Sequence, residues 1–359
     1  MSRIFLYLWF ACIVILITTM IIAPASTALV HVVEKVASRN APLPAIESSI
    51  QNDVVATANT IDDEPVQQPS TTLQTLASGA EHTCVITQSA QVRCWGKNSA
   101  GQIGNGSDGA IAPIVTTPAV VSGLVDVASI ALGDAHSCAL RVRIGTVWCW
   151  GDNAFSQLGN NTYGPQTQQS LPQLVADVRD ATQISAGSHH TCALLATGQV
   201  MCWGSNQSSQ LAQPDITIAP RPVTVTLPLP AKYVAAGDST SCAITTDDAV
   251  WCWGDNAQRQ INLTEARILQ PQQLATGFAS NAVAVSATQI CGIANSMVWC
   301  SSNGQIQSIP VTDVVQVRRS ATGEICAITR GDALWCWSTA QAPVQQEIYG
   351  VVDVAGGTS

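Results

Sequence analysis

Twelve of the thirteen cysteines fall into six pairs at nearly constant spacing: Cys84/Cys94, Cys138/Cys149, Cys192/Cys202, Cys242/Cys252, Cys291/Cys300 and Cys326/Cys336. First cysteines recur every 35 to 54 residues, so the chain is built from repeats whose units bury their apolar faces against their neighbours. Each unit is long enough for about four short strands.

The spacing within a pair has a geometric meaning. In HTCVITQSAQVRCWG, centring on Ser89 pairs Val85 with Arg93 and Ile86 with Val92, and sets Cys84 opposite Cys94. That is a hairpin with a three-residue loop, and the same construction centres on Thr197, Asp247 and Gly331. The other two spacings predict two-residue loops at Arg143-Ile144 and Asn295-Ser296. Opposed residues of an antiparallel pair lie within disulfide reach, so the spacing predicts six cross-strand bridges. Two alternatives stand beside this: buried free thiols, and metal ligation, for which the close CxxC-type pairs of a zinc site are missing.

The first thirty residues bear on the compartment. Arg3 precedes an apolar stretch from Ile4 to Ala23, followed by the small-residue run Pro24 to Ala28, in which Ser26 and Ala28 fit the positions read by a signal peptidase. Residues 1–30 are therefore expected to be a signal peptide or an uncleaved signal anchor, with membrane anchoring through residues 4–23 in the second case. Both outcomes predict an extracytoplasmic protein, where disulfides persist. Cys12 lies in the apolar stretch and is left out of the pairing. Residues 31–72 carry Pro42, Pro44, Pro65 and Pro69 among small polar residues without apolar periodicity, and are expected to be a disordered linker. Residues 73–359 form the repeat domain; with 11% charged and 47% hydrophobic residues in the chain, they suit a core of many short strands.

The units share more than cysteines. Gly79, Gly133, Gly187 and Gly237 each stand five residues before a cysteine, which suggests a bend or a close backbone approach. Trp-Gly follows the second cysteine at Trp95-Gly96, Trp150-Gly151, Trp203-Gly204 and Trp253-Gly254; then come Asn98, Asn153, Asn206 and Asn256, and the pairs Gln102-Ile103, Gln157-Leu158, Gln210-Leu211 and Gln260-Ile261. In this register CWGKNSAGQIGNG and CWGDNAFSQLGNN, with GAEHTC, GDAHSC and GSHHTC before them, resemble the repeats of the regulator-of-chromosome-condensation family. The resemblance covers residues 73–359 and weakens after the fourth unit, where Ser301-Ser302 and Ser338 depart from the pattern. It implies an all-β fold, a β-propeller of about six four-stranded blades with seven as the alternative. The tail VVDVAGGTS resembles the opening strand of a further unit, expected to pair with amino-terminal strands and close the ring.

Chemistry is sparse. His82, His136 and His190 occupy one repeat position, which reads as a structural hydrogen-bonding role. No phosphate loop, nucleophile elbow or HExxH motif occurs, and no catalytic residue, metal site or cofactor is expected. The family's founding members act in the nucleus on a small GTPase and on chromatin; a net charge of −9 without a basic tract argues against nucleic acid here. The expectation is a non-catalytic binding module whose partner is a protein or a cell-envelope component, reached through one face and the connections Gly104–Ser122, Asn160–Val175 and Ala212–Ala231, with Phe155 and Tyr163 as candidate contacts. The alternatives are a hydrolase or lyase with its site in the propeller channel, and a purely structural surface module. Trp95, Trp150, Trp203 and Trp253 are expected to pack between blades with their indole N–H groups satisfied.

Overall fold

The structure is a computed structural model, and it describes residues 29–34, 76–346 apart from positions 108, 111, 142, 165, 278 and 321, and 351–357. Strand β1 is Leu29–Glu34. Blade 1 is β2 (Leu76–Ser78), β3 (His82–Ile86), β4 (Val92–Lys97) and β5 (Ile114–Val120); blade 2 is β6 (Val127–Leu132), β7 (His136–Arg141), β8 (Thr146–Gly151) and β9 (Gln169–Leu174). Blade 3 is β10 (Ala181–Ala186), β11 (His190–Leu195), β12 (Val200–Ser205) and β13 (Ile218–Val225); blade 4 is β14 (Ala231–Gly237), β15 (Thr240–Thr245), β16 (Val250–Asp255) and β17 (Arg267–Gln273). Blade 5 is β18 (Ala282–Val285), β19 (Ile290–Ala294), β20 (Met297–Ser302) and β21 (Gln305–Ile309); blade 6 is β22 (Val314–Arg319), β23 (Ile325–Thr329), β24 (Leu334–Ser338) and β25 (Gln341–Gln345). Each blade is an antiparallel sheet in chain order, and the first strand of each lies against the first strand of the next.

The six-blade expectation holds, and the tail closes the ring. Strand β26 (Val351–Gly357) lies against β22 and β2, in the gap between blades 6 and 1, and pairs antiparallel with β1 from Leu29↔Gly357 to Glu34↔Val351. The seventh position is thus filled by a two-stranded sheet drawn from the two ends of the described chain. β1 straddles the boundary at residue 30 between the expected leader and the expected linker; the rest of both segments, Cys12 included, lies outside the described residues. Among the described residues no helix is long and apolar enough to cross a membrane.

All six disulfides form at the expected pairs, Cys84–Cys94, Cys138–Cys149, Cys192–Cys202, Cys242–Cys252, Cys291–Cys300 and Cys326–Cys336, with Cα atoms 4.0–4.1 Å apart. They join directly opposed residues of the second and third strand of each blade. Because the pairing is local, the register follows from the turn. Asn295 and Ser296 both take positive φ, 52° and 60°, the pattern of a two-residue hairpin turn whose twist suits the strands. The second blade differs from expectation: its last paired residues are Arg141 and Thr146, and the loop widens to four residues with Gly145 at φ 57°.

The glycine of each Trp-Gly pair has a defined use. Gly96, Gly151, Gly204 and Gly254 sit at φ 100–107°, where the register between third and fourth strands slips. A Cβ there would lie 2.5–2.6 Å from the carbonyl oxygens of Glu81, Ala135, His189 and Ser239 respectively. Blade 5 carries Ser302 at that position, and the pairing of β20 with β21 runs without a slip.

Each bridge closes a short loop, so removing one by Cys192→Ser/Cys202→Ser is expected to lower stability by about 3 kcal/mol. Urea unfolding of the paired variant against the parent measures this, and non-reducing peptide mapping is expected to recover all six native pairs in the parent.

Candidate functional site

Successive blades are joined by a repeated polar network. Ser137 Oγ donates to the main-chain oxygen of Gln102 in the preceding blade at 3.0 Å, and the indole N–H of Trp150 donates to the same oxygen at 2.9 Å. Thr191 and Trp203 converge likewise on Gln157 O, and Ser241 and Trp253 on Gln210 O. The same hydroxyls meet histidines: His82 Nε2 lies 2.8 Å from Ser137 Oγ, His136 Nε2 2.9 Å from Thr191 Oγ1, and His190 Nε2 2.8 Å from Ser241 Oγ. Since each hydroxyl spends its proton on a glutamine carbonyl, each imidazole must donate from Nε2, which leaves Nδ1 as a bare acceptor with no partner among the described residues. Burial pushes His82 and His190 down to about 3 and His136 well below its usual range, so all three are neutral at pH 7.

The recurring glycine belongs to this network. A Cβ on Gly133 would stand 2.1 Å from His136 Cε1 and 2.6 Å from Gly187 O of the next blade, and Gly79 and Gly187 are hemmed in the same way. The structural role expected for the histidines is the observed one. For the tryptophans it holds in three cases of four: Trp150, Trp203 and Trp253 are fully buried, whereas Trp95 is half-buried, because the two-stranded sheet before blade 1 is narrower than a blade. Trp337 is buried with no partner for its indole N–H among the described residues, since blade 5 has no glutamine loop to offer it. In blade 5, Ser301 Oγ donates to Gln260 O at 2.7 Å and replaces the missing tryptophan.

The turns between first and second strands and the loops between third and fourth strands share one face of the ring. The latter loops are long in blades 1–4, spanning 98–113, 152–168, 206–217 and 256–266, and shrink to 303–304 and 339–340 in blades 5 and 6. In each long loop the motif asparagine accepts from the main-chain N–H five residues on, as at Asn153 Oδ1 from Leu158 N (3.0 Å). The result is a stiff rim on four blades that lies open over the other two.

Phe155 and Tyr163, the two aromatic contacts singled out in the sequence, both lie on the 152–168 loop but in different settings. Phe155 is half-buried and meets the His189 ring edge-on, with centroids 4.9 Å apart. Tyr163 is 68% exposed, and its neighbours are pinned: Asn153 Nδ2 donates to Thr162 O and Oγ1, Thr162 N donates to Asn160 Oδ1, and Thr167 Oγ1 donates to Gly164 O. The connections 104–122, 160–175 and 212–231, expected to be loops, include the outer strands β5, β9 and β13, so only their first halves belong to the rim.

At the ring axis the first strands of the six blades line a cavity of about 110 Å³. One tier of it is built from Ala77, Ala131, Ser185, Ala235 and Ala284, with Arg318 the single large member. At the mouth Arg319 Nη2 of blade 6 bonds Asp238 Oδ1 of blade 4 at 2.8 Å, passing over blade 5, and Ser188 Oγ donates to the same oxygen at 3.4 Å. Deeper down, Gln183 bridges blades 3 and 4 by donating to Val234 O and accepting from Val234 N, both at 3.0 Å. Nothing in the repeat motif marks Arg319 or Gln183, and Asp238, which shares its repeat position with Asp134, gives no sign of its partner; only the folded ring brings Asp238 and Arg319 together. Among the described residues no three of His, Cys, Asp and Glu converge as a metal site would require.

Two family models for the regulator of chromosome condensation (RCC1) repeat match this chain, one at residues 91–140, 145–194 and 197–244, the other at 74–102, 127–157, 181–210 and 231–260. Together they run unbroken from residue 74 to residue 260, more than half of the sequence. The chain belongs to the RCC1-repeat family. The probable E3 ubiquitin-protein ligase HERC6 of Homo sapiens is 34% identical over 140 residues, which is 38% of this chain and 13% of that protein. E3 ubiquitin-protein ligase HERC2 of Homo sapiens is 32% identical over 145 residues, 38% of this chain and 3% of that protein. The chain therefore spans only a small part of these relatives. Among solved structures, human WBSCR16 superposes with a TM-score of 0.71 at 20% identity, covering 79% of this chain and 84% of that one. Prp20p of Saccharomyces cerevisiae gives 0.58 at 19% identity, covering 68% and 65%. Identities this low show the fold alone.

The RCC1-repeat network makes two predictions. Gly133→Ala forces a methyl group against His136 and the next blade, and is expected to destabilise by about 2–3 kcal/mol in urea unfolding. The histidines give a pH dependence whose sign is fixed by their lowered folded values. Their stabilisation is complete above about pH 6.5, where the unfolded chain is also neutral, and is lost as pH falls toward 3, because unfolding then takes up three protons that the folded state refuses. Three protons correspond to about 4 kcal/mol per pH unit, so the urea midpoint is expected to fall steeply from about pH 6 to pH 5. His190→Gln, which copies Gln289 at the same repeat position, is expected to remove one third of that slope.

Proposed function

We propose that this chain is an extracytoplasmic binding module that catalyses nothing and engages a protein or cell-envelope partner through its loop-rich face. The observation that carries the reading is Tyr163: a large aromatic side chain, mostly exposed, on a loop whose neighbouring residues are already held by side-chain hydrogen bonds. A preorganised aromatic loses little entropy on binding and makes an effective anchor. Phe155 on His189 supplies a second aromatic element on the same loop, and the low side of the rim over blades 5 and 6 leaves room for a partner to enter. Prp20p is described by its binding to Gsp1p and histones, which supports a protein partner for a ring of this kind; the acidic balance of this chain speaks against nucleic acid.

Sulfur chemistry supports the proposed compartment. Six disulfides persist where the environment is oxidising, and the apolar stretch from Ile4 to Ala23 supplies a route out of the cytoplasm. Tyr163→Ala is expected to weaken retention of an envelope or secreted partner on the immobilised propeller by at least about tenfold, a typical anchor contribution. Val344→Asp, on the outer strand of blade 6, is expected to leave retention unchanged. Equal retention by both variants, or turnover of a glycan or peptide library by the purified protein, would reverse the reading.

A further inference from the structure

Every blade ends on an outer strand whose far edge pairs with nothing among the described residues, and in all blades but one that edge carries a proline at a fixed repeat position. Pro118, Pro172, Pro222, Pro271 and Pro343 each stand immediately before the residue paired with the second cysteine of the blade: Ala119, Gln173, Val223, Gln272 and Val344 respectively. Blade 5 pairs Cys300 with Gln307 and has Ile306 at that position. We propose that β21, the outer strand of blade 5, is a self-association edge, and that two copies of this chain pair their β21 strands antiparallel about a two-fold axis.

The cysteines fix which way the backbone groups point. The Cα atoms of Cys291 and Cys300 lie 4.0 Å apart, the closer separation of an opposed pair that exchanges no main-chain hydrogen bonds. The N–H and C=O of Cys300 therefore turn away from β19 toward β21, where Gln307 faces back to meet them. Ile306 and Ser308, on either side of Gln307, present their N–H and C=O groups to the outside. In the other blades the cysteine Cα atoms are 4.1 Å apart, which places the prolines at the corresponding position. A proline there offers no N–H and hinders an added strand, a common protection of sheet edges.

Shape adds to the difference. The proline-bearing strands slip register beside the second cysteine, whereas β20 and β21 pair without a break from Val298↔Ile309 to Ser302↔Gln305 at the tight Asn303-Gly304 turn. β21 is thus a regular edge without the guard that the others carry.

The composition of the strand selects its occupant. Gln305, Ile306, Gln307, Ser308 and Ile309 hold no charge, so β21 can meet its own copy without opposing like charges, although the chain as a whole carries −9. A two-fold axis at Gln307 sets Ile306 opposite Ser308 of the second copy, so outward groups meet outward groups and exchange N–H···O bonds. The Gln307 amides, each both donor and acceptor, face one another on the axis. One such edge per chain is used up by one partner, and the assembly closes at two.

The test is the mass of the purified full chain by sedimentation over a range of concentrations, with hydrogen exchange read at the Ile306 and Ser308 amides. Twice the single-chain mass and slow exchange at both amides are expected. Ile306→Pro, which gives blade 5 the residue found in the other blades, is expected to weaken association by at least about tenfold. Because Ile306 also packs against the core, Gln307→Glu is the second variant: its side chain is exposed, it sets like charges against each other on the axis, and it is expected to weaken association as well. Gln341→Glu, on the proline-bearing β25, is expected to leave association unchanged. A single-chain mass at every concentration overturns the proposal, and slow exchange at both amides in that case assigns the edge to another segment of the same chain. Undiminished association of Gln307→Glu also overturns it, since the contact between copies then lies elsewhere.

Discussion

One main-chain carbonyl at each of three successive blade junctions locks that arc of the ring together. The oxygens of Gln102, Gln157 and Gln210 each accept from an indole and a hydroxyl of the following blade, and that hydroxyl is in turn met by a histidine from the preceding one. Sheets stacked only by Val, Ile and Leu could slide over one another at little cost; a buried acceptor shared by two donors loses its satisfaction on any displacement. Disulfides act at another level. They stiffen the second and third strands inside a blade and make no link between blades, so geometry within the blade is covalent and geometry of the ring is polar.

This division explains what is legible in the sequence. The hairpins are legible because a pair of cysteines ten residues apart fixes both turn length and register through contacts that are local in the chain. The histidine, the glycine and the Trp-Gly pair are legible as a repeating unit because every copy meets the same surroundings. Trp95 departs from expectation for the converse reason: its residue matches the motif, but its environment is set by whatever precedes blade 1, which lies at the far end of the chain. The tail is legible as a closing strand because it resembles the opening of a unit, but its partner Leu29–Glu34 is not, since that segment falls across the expected leader and linker and carries no mark of Val351–Gly357. Asp238 and Arg319 meet across the mouth only because the ring has closed, and neither residue announces the other.

Departures from the repeat are where the face becomes asymmetric. Blades 5 and 6 lose the long loop, and with it the glutamine carbonyl, so Trp337 of blade 6 is left without an indole acceptor among the described residues, whereas Ser301 of blade 5 takes the tryptophan's place on the Gln260 carbonyl that blade 4 still offers. Loop loss on one side of a ring whose other side keeps a rigid rim produces a surface with an entrance. The aromatic loop of residues 152–168 stands on the high side of it.

Leu29 and Gly357 are opposite residues of one ladder. The two ends of the described propeller are therefore neighbours, and the place of its seam is topologically arbitrary: a circularly permuted gene, joining Gly357 to Leu29 and opening a hairpin tip elsewhere, encodes the same closed ring. The finished architecture is indifferent to where that seam lies.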